Sequence, residues 1–110
     1  MEPWDDIEQR LHAATGADGE LDRVLATAFD RPAAPLTASV EACRELVAAV
    51  LPGWRLHLGF GADGMFPYAS LAGDSRRVVS DAPTVPLAIL RSAVAAARAA
   101  GSVPSAPPPA

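Results

Sequence analysis

The sequence predicts an α+β fold, a small antiparallel three-stranded sheet with helical layers, in the order α-α-α-β-β-β-α. Three observations carry this expectation. Four stretches repeat apolar residues at helical spacing: WDDIEQRLHAATG, ELDRVLATAF, SVEACRELVAAVL and PLAILRSAVAAARAA. After the third, at Trp54, the apolar period falls from near four to two. Connections in that region are short, which favours an antiparallel meander whose apolar face the long helices must cover.

Ile7, Leu11 and Ala14 share one face of the first helix, and Trp4 extends it by a turn. Asp5 and Asp6 stand in its first turn, where the helix dipole favours negative charge, and Gly16 is placed to end it. Leu21, Val24, Leu25, Ala28 and Phe29 form the apolar side of the second helix, with Asp18 as its cap. DRPAAPL is a connector, because Pro32 and Pro35 lack amide donors and restrict their neighbours. In the third helix Val40, Cys43, Val47 and Val50 make a stripe that Leu46 and Leu51 widen. Either Thr37 or Ser39 caps it, and Pro52-Gly53 ends it.

Trp54, Leu56, Leu58 and Phe60 then alternate with Arg55, His57, Gly59 and Gly61, a strand with one apolar and one mainly polar face. MFPYASL is a second extended segment, in which Pro67 points to an edge or a bulge. Gly73-Asp74 turns the chain into RRVVS, the third strand. Thr84 caps the last helix, Pro86 fits its first turn, and Leu87, Leu90, Val94 and Ala97 form its buried stripe. Residues 1–100 read as a single compact domain, and 101–110, GSVPSAPPPA, as a flexible Pro/Ala-rich tail.

Alanine supplies much of the hydrophobic half of this 110-residue chain, so its core must rest on a few larger groups. Those are Trp4, Trp54, Phe29, Phe60, Phe66, Met65 and the aliphatic residues. Formal charge is −4, and every basic residue is arginine. That balance argues against nonspecific binding to a phosphate backbone, which needs a positive surface field. The single cysteine, Cys43, has no partner for an intrachain disulfide and lies in an apolar helical pattern, as a buried thiol does. No apolar run approaches the ~20 residues that span a bilayer, and the cytoplasm is the expected compartment.

GFGADG, residues 59–64, matches G-x-G-x-x-G. A dinucleotide fingerprint needs the turn to feed directly into a helix, and here MFPY follows instead. Asp63-Gly64 between two extended segments is a hairpin signal. His12 and His57, the only histidines, have no Cys or His partners at zinc spacing. Asp18, Glu20 and Asp22 lack the rest of a calcium loop, and no serine occupies a G-x-S-x-G elbow. The expectation is therefore no catalytic residue, no metal and no cofactor.

What remains is surface. Arg76 and Arg77, helped by Arg55 and flanked by His57, make the best basic patch. Phe66 and Tyr68 share a parity opposite Met65; left open, that side marks an interface, and cover by the N-terminal helices is the alternative. Arg55, His57, Phe66, Tyr68, Arg76 and Arg77 are thus the candidate interaction residues.

Three stretches in this order, RLHAATGADGELD (10–22), LTASVEACRELVAAVLPGWRLHLG (36–59) and APTVPLAILRSAVAAARA (82–99), resemble the phage ABA sandwich domain family. Val85 separates Thr84 from Pro86, where that family usually joins them, and the hairpin region is short. The resemblance implies helical layers around a central sheet, an α/β/α sandwich, and a phage or prophage setting in a bacterial host. The expected function is a nonenzymatic accessory protein contacting a phage or host protein, or a second copy of itself. The alternatives are a regulator or inhibitor of a host nucleic-acid enzyme, a weak nucleic-acid binder, or a small-molecule enzyme.

Overall fold

The computed structural model describes residues 3–61, 64–73 and 75–101. Helices α1 (Pro3–Ala13), α2 (Gly19–Ala28) and α3 (Val40–Val50) come first. Strands β1 (Arg55–Phe60), β2 (Pro67–Gly73) and β3 (Arg76–Asp81) follow, and α4 (Val85–Ala99) closes the fold. The class is the expected one, α+β with helices layered against a three-stranded antiparallel sheet. Asp63, Asp74 and the tail beyond Gly101 lie outside the described residues.

Capping chemistry sets the helix starts. Asp18 accepts from the amides of Glu20 and Leu21 at 3.1 Å each, and Thr84 from that of Leu87 at 3.3 Å. For α3 the cap is Ser39, whose Oγ accepts from Ala42 N at 3.1 Å. Thr37 is occupied elsewhere: its backbone and hydroxyl both donate to Asp22 Oδ1, at 2.6 and 2.7 Å, and its Oγ1 accepts from Asp18 N at 2.7 Å. That network latches the connector onto the start of α2, and it accounts for the burial of Thr37.

Gly16 does not end α1, which stops at Ala13. A long-range cation does this work. Arg91 of α4 donates to Leu11 O at 3.2 and 3.0 Å, to His12 O at 3.0 Å and to Asp81 O at 2.7 Å. Carbonyls at a helix C-terminus lack intrahelical partners, and a guanidinium fork satisfies several at once. Burial pulls the Arg91 pKa down and Asp81 opposes it, but the group stays charged.

The sheet is a meander in the order β1-β2-β3. Its register runs from Arg55↔Ala72 to Phe60↔Pro67, and from Tyr68↔Asp81 to Gly73↔Arg76. Contrary to the expected edge or bulge, Pro67 opens the central strand. Proline is tolerated there because the first residue of a strand need not donate to the ladder. Leu56, Leu58, Ala69, Leu71 and Val78 share the face toward α4, which packs on β2 and β3. At that contact the buried Ser92 hydroxyl donates to Ala69 O at 2.7 Å.

Instead of the single predicted stripe, α4 is buried over most of its circumference: Ala88, Ile89, Ser92, Ala93 and Ala96 join Leu87, Leu90, Val94 and Ala97. The cause is position. The N-terminal helices, the alternative cover for the second sheet face, pack elsewhere: α1 and α3 against α4, and α2 against α1. Arg98 ties the end of α4 to Asp5 and Glu8 of α1.

Among the expected core groups, Trp4 is buried and stacks at 5.3 Å on the half-buried Phe29. Trp54 is half-buried too, its ring so close over Gly73 that a Cβ there would lie 2.6 Å from it. Phe60, Met65 and Phe66, by contrast, are exposed: α4 packs on β2 and β3, and these three lie on β1 and in the bend before β2. Cys43 is the buried thiol expected; its Sγ meets Leu36 O at 2.9 Å, and burial, with Asp22 adding to it, pushes its pKa up to about 12.

Replacing Arg91 by methionine keeps the apolar stem and removes four hydrogen bonds. The variant should lose about 1.5 kcal/mol or more in urea unfolding, with an unchanged denaturant slope. Cys43 adds a pH dependence. The unfolded thiol ionises near 9 and the folded one only near 12, so the folded state holds the extra proton in between. Stability contributed by the neutral thiol is complete below pH 9 and should fall by up to about 1.4 kcal/mol per unit from there to pH 12. Cys43→Ala should flatten that part of the stability profile, measured by denaturant titration at each pH.

Candidate functional site

Parity and register assemble one polar surface on the sheet face away from α4. Three rows cross the strands there: Arg55, Ala72 and Arg77; His57, Ser70 and Val79; Gly59, Tyr68 and Asp81. Arg55, His57, Arg77, Val79 and Asp81 are exposed, so this face is open.

Tyr68 leans across from β2 onto β1. Its ring lies over Gly59, where an added Cβ would come within 2.8 Å of it, and its hydroxyl meets His57 Nε2 at 3.1 Å. The two rings stand 5.8 Å apart and tilted. On the other side Arg77 bends over Ser70, Nε donating to Oγ at 3.1 Å, and Ser70 is buried beneath it. Both polar side chains in the middle of the face are thereby held in place.

The ion pairs described lie elsewhere, Arg10 with Asp6 and Arg98 with Asp5 and Glu8. Arg55, Arg76 and Arg77 have no carboxylate partner among the described residues, and Asp81 is the single acid in the three rows. Ala72 stands between Arg55 and Arg77 in register, so the two arginines share one row of the exposed face, and Arg77 bends from it over Ser70. Guanidiniums present forked donors that match carboxylates in two-point geometry. This arrangement can bind an anion.

Four of the six candidate residues, Arg55, His57, Tyr68 and Arg77, are therefore brought together. Arg76 falls on the opposite parity, with Val78, and is exposed at the start of β3. Phe66 precedes β2; its carbonyl accepts from Gly61 N at 3.3 Å, which places it at the hairpin end beside Phe60 rather than with Tyr68. Ser70 and Val79 were not singled out from the sequence, although the alternation that places His57 also places them once the register is known.

Of GFGADG, Gly59 and Phe60 end β1 and Gly64 N donates to Gly61 O at 2.8 Å, and the next element is the strand β2, not a helix. His12 is exposed near the end of α1. Among the described residues no group of three or more His, Cys, Asp or Glu converges as metal ligands do, and Asp22 is engaged with Thr37. No helix of the described residues is long and apolar enough to cross a membrane.

No family model matches this chain, and neither a curated protein nor a solved structure is similar to it. The class defined by fold and site is thus an α+β domain with an open, arginine-bearing sheet face.

Gly59→Ala tests how that face is built. The new methyl should push the Tyr68 ring away and break its bond to His57, while the fold persists. Shifted His57 and Tyr68 ring resonances, with amide shifts confined to β1 and β2, are the expected NMR result.

Proposed function

We propose that this protein is a nonenzymatic binding module that holds an acidic protein partner on its open sheet face. The setting proposed for it is the phage or prophage one that its three quoted stretches imply. One observation carries the reading. Two arginines without carboxylate partners among the described residues flank a small residue on an exposed face, beside a fixed His57–Tyr68 pair. Acidic residues dominate the chain as a whole, at a net charge of −4, so the cations of this face are a local feature. Such contrast steers a complementary partner and sets orientation more than it adds raw affinity. A nucleic acid is the weaker fit, because its long phosphate track needs a wide positive field.

Titration with polyglutamate at low salt tests the proposal. The wild-type protein should bind, and Arg55→Glu/Arg77→Glu should bind at least about tenfold more weakly while its circular dichroism and melting temperature stay near those of the parent. Undiminished binding by the reversed variant would sink the reading, as would tighter binding to duplex DNA than to polyglutamate.

A further inference from the structure

We propose that β1 takes up a fourth strand: an extended segment of the partner whose side chains alternate acidic and apolar, added along the free edge of the sheet. The inference rests on the acidic-partner reading and specifies how that partner docks. It starts from the two edges that the order β1-β2-β3 leaves. That of β3 borders a groove shared with Glu8, Leu11 and His12 of α1, and Arg91 holds Asp81 O at its end. Along β1, among the described residues, the backbone of 55–60 bonds to β2 and to nothing else.

Sheets commonly blunt such an edge with proline, lysine, an inward charge or a bulge. RLHLGF has neither proline nor lysine, its register against β2 is unbroken over all six residues, and its even-numbered side chains toward α4 are all apolar. Because α4 lies over β2 and β3, Leu58 stays 37% exposed and Phe60 66% exposed. An added strand would set one row of its side chains beside Leu58 and Phe60 and the alternate row beside Arg55 and His57. The first row calls for apolar residues and the second for acidic ones. Strand addition of this kind draws affinity from main-chain bonds and specificity from alternate side chains.

A second copy brings no acid to the outward row and so leaves Arg55 without a complement. Two-fold pairings of β1 with itself that keep the faces matched centre on His57 or on Leu58. Centred on Leu58, they match Leu56 with Phe60, yet the outward row then sets Arg55 opposite Gly61 and His57 opposite Gly59. Centred on His57, they set the two imidazoles opposite each other. β1 contains no acid to offset either arrangement.

The experiment uses the full chain and two synthetic peptides of equal composition, one alternating glutamate with valine, the other with the two residues in separate blocks. Binding is followed by fluorescence anisotropy and amide exchange by NMR. The alternating peptide should bind about tenfold tighter than the block peptide and slow exchange at β1 amides not bonded to β2. Phe60→Lys, at an exposed position, should weaken it about tenfold, and Phe60→Ala by less. Equal binding of both peptides that depends on Arg55 and Arg77 and leaves β1 exchange unchanged would overturn strand addition while sparing the acidic-partner reading. Absence of binding by either peptide overturns both. Concentration-dependent protection of β1 without peptide would show the edge taken by a second copy, and that also overturns the proposal.

Discussion

Everything in this fold depends on α4 lying directly on the sheet while staying buried on its other sides. A helix in that position must be slim as well as apolar. Ala88, Ser92, Ala93, Ala96 and Ala97, all buried, keep it so, and Leu87, Ile89, Leu90 and Val94 supply the bulk. The Ser92 hydroxyl, fully buried, would cost roughly 1–3 kcal/mol if unpaired, and Ala69 O on the central strand takes its hydrogen bond. α1 and α3 pack on the same helix, and Arg91 and Arg98 reach from it to opposite ends of α1. α4 is thus both the core of the domain and the anchor for its polar clamps.

Placement of that helix determines what is left bare. Centred over β2 and β3, it covers Ala69 and Leu71 fully and leaves the β1 end of the same face partly open, at Leu58 and Phe60. With α1 and α3 packed on α4 and α2 on α1, none remains for the opposite face, where Arg55, His57 and Arg77 meet solvent. Exposed apolar groups and exposed arginines are therefore not independent features. Both follow from one helix being too narrow to cover three strands and too central to share its partners with the sheet.

Local chemistry was readable from the residues, and long-range satisfaction was not. The change of period at Trp54 located β1, and with it the shared parity of Arg55 and His57; Asp18 and Thr84 announced their helices by type and spacing. Thr37 and Ser39 looked equivalent because the deciding partners, Asp18 and Asp22, lie 19 and 15 residues away from Thr37. Gly16 was credited with ending α1 for the same reason, since Arg91 stands 80 residues from Leu11. At the site the errors are of register. β2 begins at Pro67, which leaves Phe66 outside the strand, and Arg76 and Arg77, being adjacent, must point to opposite faces. Hydrophobicity alone could not place Phe60, Met65 or Phe66, because their exposure is set by which strands α4 packs on.

The arginine on β1 bears on a problem that any open edge poses, namely pairing with copies of itself. Neither proline nor lysine protects this edge, and its apolar row would favour self-pairing if it acted alone. Arg55 acts on the outward row, where a second copy brings no acid and leaves that cation without a complement. An acidic alternating strand meets the same apolar row and neutralises the other. Discrimination between partners is a difference in free energy, and it is largest where one feature penalises the wrong partner and rewards the right one. On β1 that feature is Arg55, displayed on the outward face by the pleat of the strand.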